Sequence, residues 1–170
     1  MIVLMAGLPG TGKTTLAREL ARRTSGRVLS KDEFRHAIFA PEEIEYSSRQ
    51  DDLCLQVMME TAGYLLEREP AKNIFLDGRP FSRRYQIDNV LARAASLHQP
   101  WRIFECVTSD EIARQRIVAD AGGASHPAGN RDYRLYLEVK ARFEAITLPK
   151  TVIDTSLAFE ACVRRGLDTL

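Results

Sequence analysis

The chain has 170 residues, 45% of them hydrophobic, and carries 24 Lys and Arg against 23 Asp and Glu, for a net charge of +1. That size and apolar content suit one compact domain spanning the whole of residues 1–170 and are too small for two ordinary ones. The charge balance lacks the basic surplus of a protein that coats long stretches of nucleic acid, and the three widely spaced cysteines, Cys54, Cys106 and Cys162, suggest neither a disulfide framework nor a zinc site.

Met1 to Ala6 is apolar throughout, has no charged leader or cleavage site, and reads as a strand. No stretch approaches the roughly 18 unbroken apolar residues of a membrane span, so a cytoplasmic protein without membrane contact is expected. Directly after the strand, Gly7-Leu8-Pro9-Gly10-Thr11-Gly12-Lys13-Thr14 matches G-x-x-x-x-G-K-[ST] in full. The chemistry explains the residue types. Gly7, Gly10 and Gly12 let backbone N–H groups turn inward around phosphate oxygens, with Thr11 between them, where larger side chains would block the approach. Lys13 is expected to reach the β- and γ-phosphates of ATP, and Thr14 to place its hydroxyl on Mg²⁺. The helical stretch Thr14 to Arg23, with Thr15 in its first turn, would aim its positive end at the anion.

Arg27 to Ser30 reads as a second strand, and Ser30-Lys31-Asp32-Glu33 has the Ser-x-x-Glu form of a capping box for the helix that follows. Asp32 and Arg35 lie three apart on that helix and project from the same side. Taken alone, Asp32 could complement the helix dipole and Arg35 could be a solvated partner. With a phosphate loop nearby, the carboxyl ends of parallel strands become the ligand crevice, where Asp32 could orient an attacking hydroxyl and accept its proton, and Arg35 could hold a phosphate or sulfate on the acceptor.

Between Ser48 and Glu67, the residues Cys54, Met58, Thr61, Ala62 and Leu65 recur at helical spacing and read as a core stripe. Asn73 to Asp77 is a third strand, whose closing Asp77 is placed to hold Mg²⁺ through water or to make a turn into Gly78. Arg79, Arg83 and Arg84 follow as a basic cluster, either gripping acceptor phosphates or facing solvent. Arg102 to Val107 is a fourth strand, and Thr108-Ser109-Asp110-Glu111 a second capping-box pattern. Ala121 to Asn130 is the most loop-like stretch, suited to a mobile lid, and Thr151 to Asp154 is a fifth strand. Runs such as Ile74-Phe75-Leu76 and Ile103-Phe104 are apolar on successive residues, as in a parallel sheet covered on both faces.

The loop motif, Leu29-Ser30-Lys31-Asp32-Glu33-Phe34-Arg35 and Phe75-Leu76-Asp77-Gly78 together resemble the P-loop kinases grouped around polynucleotide kinase and zeta toxin. The layout is most similar to the 5′-hydroxyl kinase domain of bacteriophage polynucleotide kinase, and adenylylsulfate, gluconate and chloramphenicol kinases look like more distant relatives. The resemblance covers most of the chain and implies a three-layer α/β P-loop fold with a five-stranded parallel sheet in the order 2-3-1-4-5 and a lid over about residues 110–135. It implies that Lys13 and Thr14 grip ATP and magnesium, that Asp32 is the general base, that Arg35 contacts the acceptor and that Asp77 supports the metal.

By the same resemblance, Arg114 and Arg116 look like lid arginines. Where relatives carry another arginine one turn on, this chain has Asp120, and the duty could pass to Arg131 in His126-Pro127-Ala128-Gly129-Asn130-Arg131-Asp132-Tyr133. His126, a lone loop histidine, reads as structural or solvent-facing. Ile153-Asp154-Thr155-Ser156 resembles the turn that contacts the adenine ring, and Ser156 could also cap the final helix. The implied activity is γ-phosphoryl transfer to a hydroxyl, first a polynucleotide 5′-hydroxyl and next a small metabolite, antibiotic or nucleotide-sugar hydroxyl, a choice that the near-neutral charge favours. A nucleotide-hydrolysing switch is a further alternative. No stable protein partner is implied.

Overall fold

The computed structural model of the protein describes residues 1–121 and 132–170. Its centre is a strand that no water reaches: all five residues of β1 (Ile2–Ala6) are buried, which is why the run has no polar alternation. β2 (Arg27–Ser30) and β3 (Ile74–Asp77) lie on one side of it, and β4 (Trp101–Val107) and β5 (Thr151–Asp154) on the other. All neighbours pair in parallel, in the order β2-β3-β1-β4-β5. The five expected strands are all present, with ends within one residue of the sequence reading.

Side chains of successive strand residues alternate between the two faces, and two cores result. On one face Ile2, Leu4, Leu29, Ile74 and Leu76 pack under α3 (Ser48–Arg68) and α4 (Arg84–Ser96). On the other, Val3, Met5, Phe75 and Phe104 pack under α1 (Lys13–Arg23) and α7 (Phe159–Leu167). Gly166 lets α7 lie close on α1, since a Cβ there would stand 3.0 Å from the Leu20 methyls. α2 (Lys31–Ile38), α5 (Asp110–Ala121) and α6 (Tyr133–Ala141) cluster at the carboxyl ends of the strands that precede them.

The stripe on α3 is a core face, with Cys54, Met58 and Ala62 buried. Its axis is rotated from the expected one. Leu55, Met59 and Leu66 are buried, whereas Thr61 and Leu65 are only partly covered.

The helix starts differ from the sequence reading in three places. Ser30 precedes α2 without a side-chain cap, and the Glu33 side chain, the other half of the expected box, accepts from Arg18 instead. At α5 the cap is Ser109, whose Oγ accepts the Ile112 N–H at 3.3 Å, while the Thr108 hydroxyl is buried without a partner. Ser156 does not cap the last helix, which begins three residues later behind Ala158; it donates to the Asp154 carboxylate instead. A pattern of spacing does not encode which partner a short polar side chain takes, as Ser109 and Ser156 show.

No helix among the described residues is long and apolar enough to cross a membrane. The three cysteines are free and buried, and burial pushes each thiol up, Cys106 to about 12. Native protein at about pH 8 is therefore expected to leave Ellman's reagent unreacted over minutes, and to react at all three thiols once unfolded in guanidinium.

Candidate active site

The phosphate loop is shaped by contacts that leave no room for side chains. Gly7 (φ 127°) has the Cys106 carbonyl oxygen 2.3 Å from where a Cβ would sit, and Gly10 (φ 77°) has the Ala113 carbonyl oxygen at 2.7 Å. Gly12, in a left-handed conformation, starts α1 without a side-chain cap, and the first turn carries no acidic residue. The first N–H groups of the helix and its positive end are thus available to an anion. The loop interior already has a hydrogen-bonding pattern of its own. Thr11 Oγ1 donates to the Leu8 carbonyl at 2.8 Å, and Lys13, 8% exposed, folds its ammonium back on the same carbonyl at 2.6 Å. Thr14 is half-buried beside it and Thr15 is exposed.

Two other segments close on the loop. The Gly7 N–H donates to the Pro80 carbonyl at 3.0 Å, so the stretch after β3 is tied to the loop after β1. α5 packs Ala113 and Ile117 against Leu8 and Gly10. That contact sets Arg116 beside the loop, where its guanidinium donates to Gly10 O at 3.4 Å, Thr155 Oγ1 at 3.0 Å and Thr155 O at 2.8 Å. Arg116 therefore links the phosphate loop to the turn after β5.

Arg114 lies about 200° further round α5. Its guanidinium stands 5.5 Å over the Tyr133 ring on α6, and the structure does not bring it to the loop. Arg131 and His126, and nearly all of the stretch expected to be a mobile lid, lie outside the described residues.

On the other side of the loop, Ser30 is paired in register with Asp77, so α2 starts next to the end of β3. Gly78 (φ 88°) permits this, because a Cβ there would be 3.1 Å from the backbone N and the Cβ of Lys31. Asp77 is 2% exposed, and its Oδ1 is buried without a hydrogen-bond partner. An orphaned carboxylate oxygen is costly unless something answers it, and a cation or its water shell is the usual answer. The pair Thr14 hydroxyl and Asp77 carboxylate fits Mg²⁺, an ion that keeps most of its waters and needs few protein ligands. Among the described residues there is no cluster of three or more His, Cys, Asp and Glu of the kind that would cage a metal outright.

Asp32 and Arg35 come together as expected: Arg35 donates to Asp32 Oδ1 at 2.9 Å, and both are buried. The surroundings are richer than the sequence reading provided. Asp51, in the first turn of α3, accepts with one oxygen from Lys31 Nζ at 2.7 Å and from Arg35, and Lys31 Nζ is 3.5 Å from Asp32. The Tyr46 ring lies 4.9 Å from the Arg35 guanidinium, held there by a left-handed backbone (φ 52°) that a tyrosine adopts only under constraint.

Arg79 separates from the basic cluster in which it was placed. It is 2% exposed and pairs with Asp52 at 2.7 Å, whereas Arg83 and Arg84 are drawn outward to Glu144 and Asp88. Those outer contacts, with the Arg84 backbone N–H first, hold the Glu144 carboxyl below its usual range. Asp51 and Asp52 were missed because acidic residues at a helix start read as dipole partners, and Lys31 because it stood only as filler in a capping-box pattern; the packing of α2 on α3 brings Lys31 and Asp51 together.

A glycine loop between a buried parallel strand and a helix, with a carboxylate at the end of the neighbouring strand in a sheet ordered β2-β3-β1-β4-β5, defines a P-loop domain. The chain belongs to a family described as the AAA domain, whose model matches residues 2–145. The fold is similar to that of a protein from Chloroflexus aurantiacus provisionally described as a kinase, at 25% identity over 99% of this chain and 97% of that one, with a TM-score of 0.70. It is also similar to a sugar kinase from Janibacter (18% identity, 98% and 92% coverage, TM-score 0.70). A third likeness is to the Mycobacterium tuberculosis APS kinase CysC in complex with AMPPNP and APS (16% identity, 98% and 95% coverage, TM-score 0.72). No curated protein matches the chain by sequence.

Replacing Gly7 with Ala forces a methyl into the Cys106 carbonyl at a φ that L-residues avoid. The substitution is expected to cost about 1–3 kcal/mol in urea denaturation and to abolish nucleotide binding measured by titration calorimetry.

Proposed function

We propose that this protein is a kinase that transfers the γ-phosphate of ATP to a hydroxyl group of a small molecule. The observation that carries the proposal is the position of Asp32, a buried carboxylate on the first turn of α2. Its strand is separated from the loop-bearing strand by β3 alone. Strands lie about 4.8 Å apart, so the ends of β1 and β2 are about 10 Å from one another, a gap that a triphosphate and an acceptor hydroxyl together bridge.

In that gap the backbone N–H groups of Gly10 to Thr14 cradle phosphate, and Lys13 exchanges the Leu8 carbonyl for the β- and γ-oxygens. The first turn of α1, including Thr15, adds its dipole. Asp32 accepts the hydrogen bond of the acceptor hydroxyl and takes its proton as the phosphoryl group arrives. This is a modest demand on a base, since the transition state is loose and positioning dominates. Arg35 holds Asp32 in place and borders the acceptor. Arg116 already contacts the phosphate loop at the Gly10 carbonyl and can neutralise charge on the transferring group, with Arg131 as a further lid arginine. Thr14 and Asp77 would hold Mg²⁺, which would supply neutralisation of phosphate charge.

Family membership and the nucleotide-bound state of CysC support ATP as donor. The names of the similar solved enzymes support a small acceptor over a polynucleotide end, and so does the neutral net charge. The deciding experiment is transfer from γ-labelled ATP and Mg²⁺ to a panel of nucleosides, sugars, phenicols, adenylylsulfate and a 5′-hydroxyl oligonucleotide. A labelled small molecule is expected; a labelled oligonucleotide alone would overturn the acceptor class, and phosphate release with no labelled acceptor would favour a switch.

Lys13→Ala is expected to lower transfer by about 100-fold or more. Asp32→Asn is expected to lower kcat by about 100- to 10,000-fold while the affinity for ATP stays within about twofold. Normal turnover by Asp32→Asn would remove Asp32 from the chemistry.

A further inference from the structure

Beside the ion cluster, between α3 and α4, the structure contains a cavity of about 650 Å³, within the size range of small-molecule sites. None of its lining residues belongs to the phosphate loop, and Asp32 is not among them. Its upper wall nevertheless adjoins the acceptor end of the site. Asp52, which lines it, follows Asp51, the residue that holds Arg35 and Lys31, and Asp52 itself pairs with Arg79 of the loop after β3. Asp52 on the cavity wall is thus next in the chain to Asp51, which shares Arg35 with Asp32, the carboxylate at which the acceptor hydroxyl would react.

The walls specify what could enter. Phe39, Leu55, Met59 and Val90 form an apolar side, and Gln56 and Asn89 bring uncharged amides. The charges on the lining are largely cancelled: Arg93 pairs with Glu60 at 2.7 Å, Asp52 with Arg79 at 2.7 Å, and Glu45 and Arg49 leave one of each sign. The two buried arginines nearest the reacting end, Arg35 and Arg79, already face carboxylates. A phosphate or sulfate entering here would be repelled by the carboxylates of Asp32, Asp51 and Asp52, whose charge already offsets that of these guanidinium groups.

We infer that this cavity holds the non-reacting body of the acceptor, and that the acceptor is an uncharged hydroxyl compound with an apolar face rather than a phosphorylated or sulfated one. This deepens the kinase reading and rests on it for the reaction, but the binding claim stands by itself. Apolar contact with Phe39 and Met59 supplies affinity, the amides orient the polar groups of the ligand, and balanced charges keep out anions.

The test measures binding and transfer separately, in the full-length protein saturated with the non-hydrolysable donor analogue AMPPNP or supplied with ATP. Binding of uridine, glucose and chloramphenicol is compared with that of UMP, glucose 6-phosphate and adenylylsulfate by ligand-observed NMR at millimolar concentration. The same measurements are made on Asn89→Trp and Gln56→Trp, which place a bulky ring in the cavity from exposed positions on α4 and α3. At least one neutral compound is expected to bind, to lose affinity by about tenfold or more in both variants, and to leave AMPPNP affinity unchanged. Binding confined to the anionic compounds, no binding by any neutral compound, or neutral binding that neither tryptophan disturbs would each overturn the inference. Transfer to a neutral acceptor that is indifferent to both tryptophans would sink the cavity and keep the kinase. Tryptophan-sensitive binding without transfer would keep the cavity and sink the kinase.

Discussion

A carboxylate taken out of water must be met by cations, and in this protein one such demand joins three separate pieces of chain. A single oxygen of Asp51 accepts from both Lys31 and Arg35. Because Asp51 opens α3 while Lys31 and Arg35 belong to α2, the two helices cannot part without leaving buried charge unmatched. The adjacent Asp52 does the same for the loop after β3 through Arg79, and that loop in turn offers the Pro80 carbonyl to Gly7. The start of α2, the start of α3 and the phosphate loop are thus placed relative to one another by charge and hydrogen bonding. The apolar cores below fix only the sheet and the helices that cover it.

Arg35 illustrates how firmly such an arrangement fixes a side chain. It is 1% exposed and its guanidinium is held by Asp32, Asp51 and the face of Tyr46. An arginine with that many fixed neighbours has little freedom left, and it holds the Asp32 carboxylate in one orientation. The strained backbone at Tyr46 is tolerable because the segment following α2 is pinned on both sides, by Gln50 accepting the Glu45 N–H and by Arg35 beneath the ring.

The phosphate loop and the sheet were readable in the sequence because their determinants are contiguous. Glycines at fixed offsets and doubly buried strands leave a local imprint, and Gly7, Gly10 and Gly12 carry the positive φ angles that the motif demands. The pairing of Asp32 with Arg35 was readable for the same reason, being one helical turn long. What the sequence concealed was choice among partners at a distance. Arg79, Arg83 and Arg84 are alike in composition, yet one is buried against Asp52 and two are surface residues, according to which way the chain turns after Pro80. Likewise Arg114 and Arg116 both sit in a plausible lid helix, but α5 presents a single face to the loop, and the packing of Ala113 and Ile117 gives that face to Arg116. Spacing identifies a helix; its rotation about its own axis is decided by what it packs against.

The sheet order has a consequence at its margins. With β1 in the middle, the outermost strands are β2 and β5, each only four residues long. Every sheet that does not close into a barrel exposes a row of unpaired backbone groups at each border, to which a stray strand from another molecule can attach. Here those borders are short, and each carries a charged residue at one end, Arg27 on β2 and Asp154 on β5. The arrangement that brings the glycine loop to the centre of the crevice therefore also confines the adhesive rims of the sheet to two brief, charge-flanked segments, a favourable property for a protein kept at high concentration.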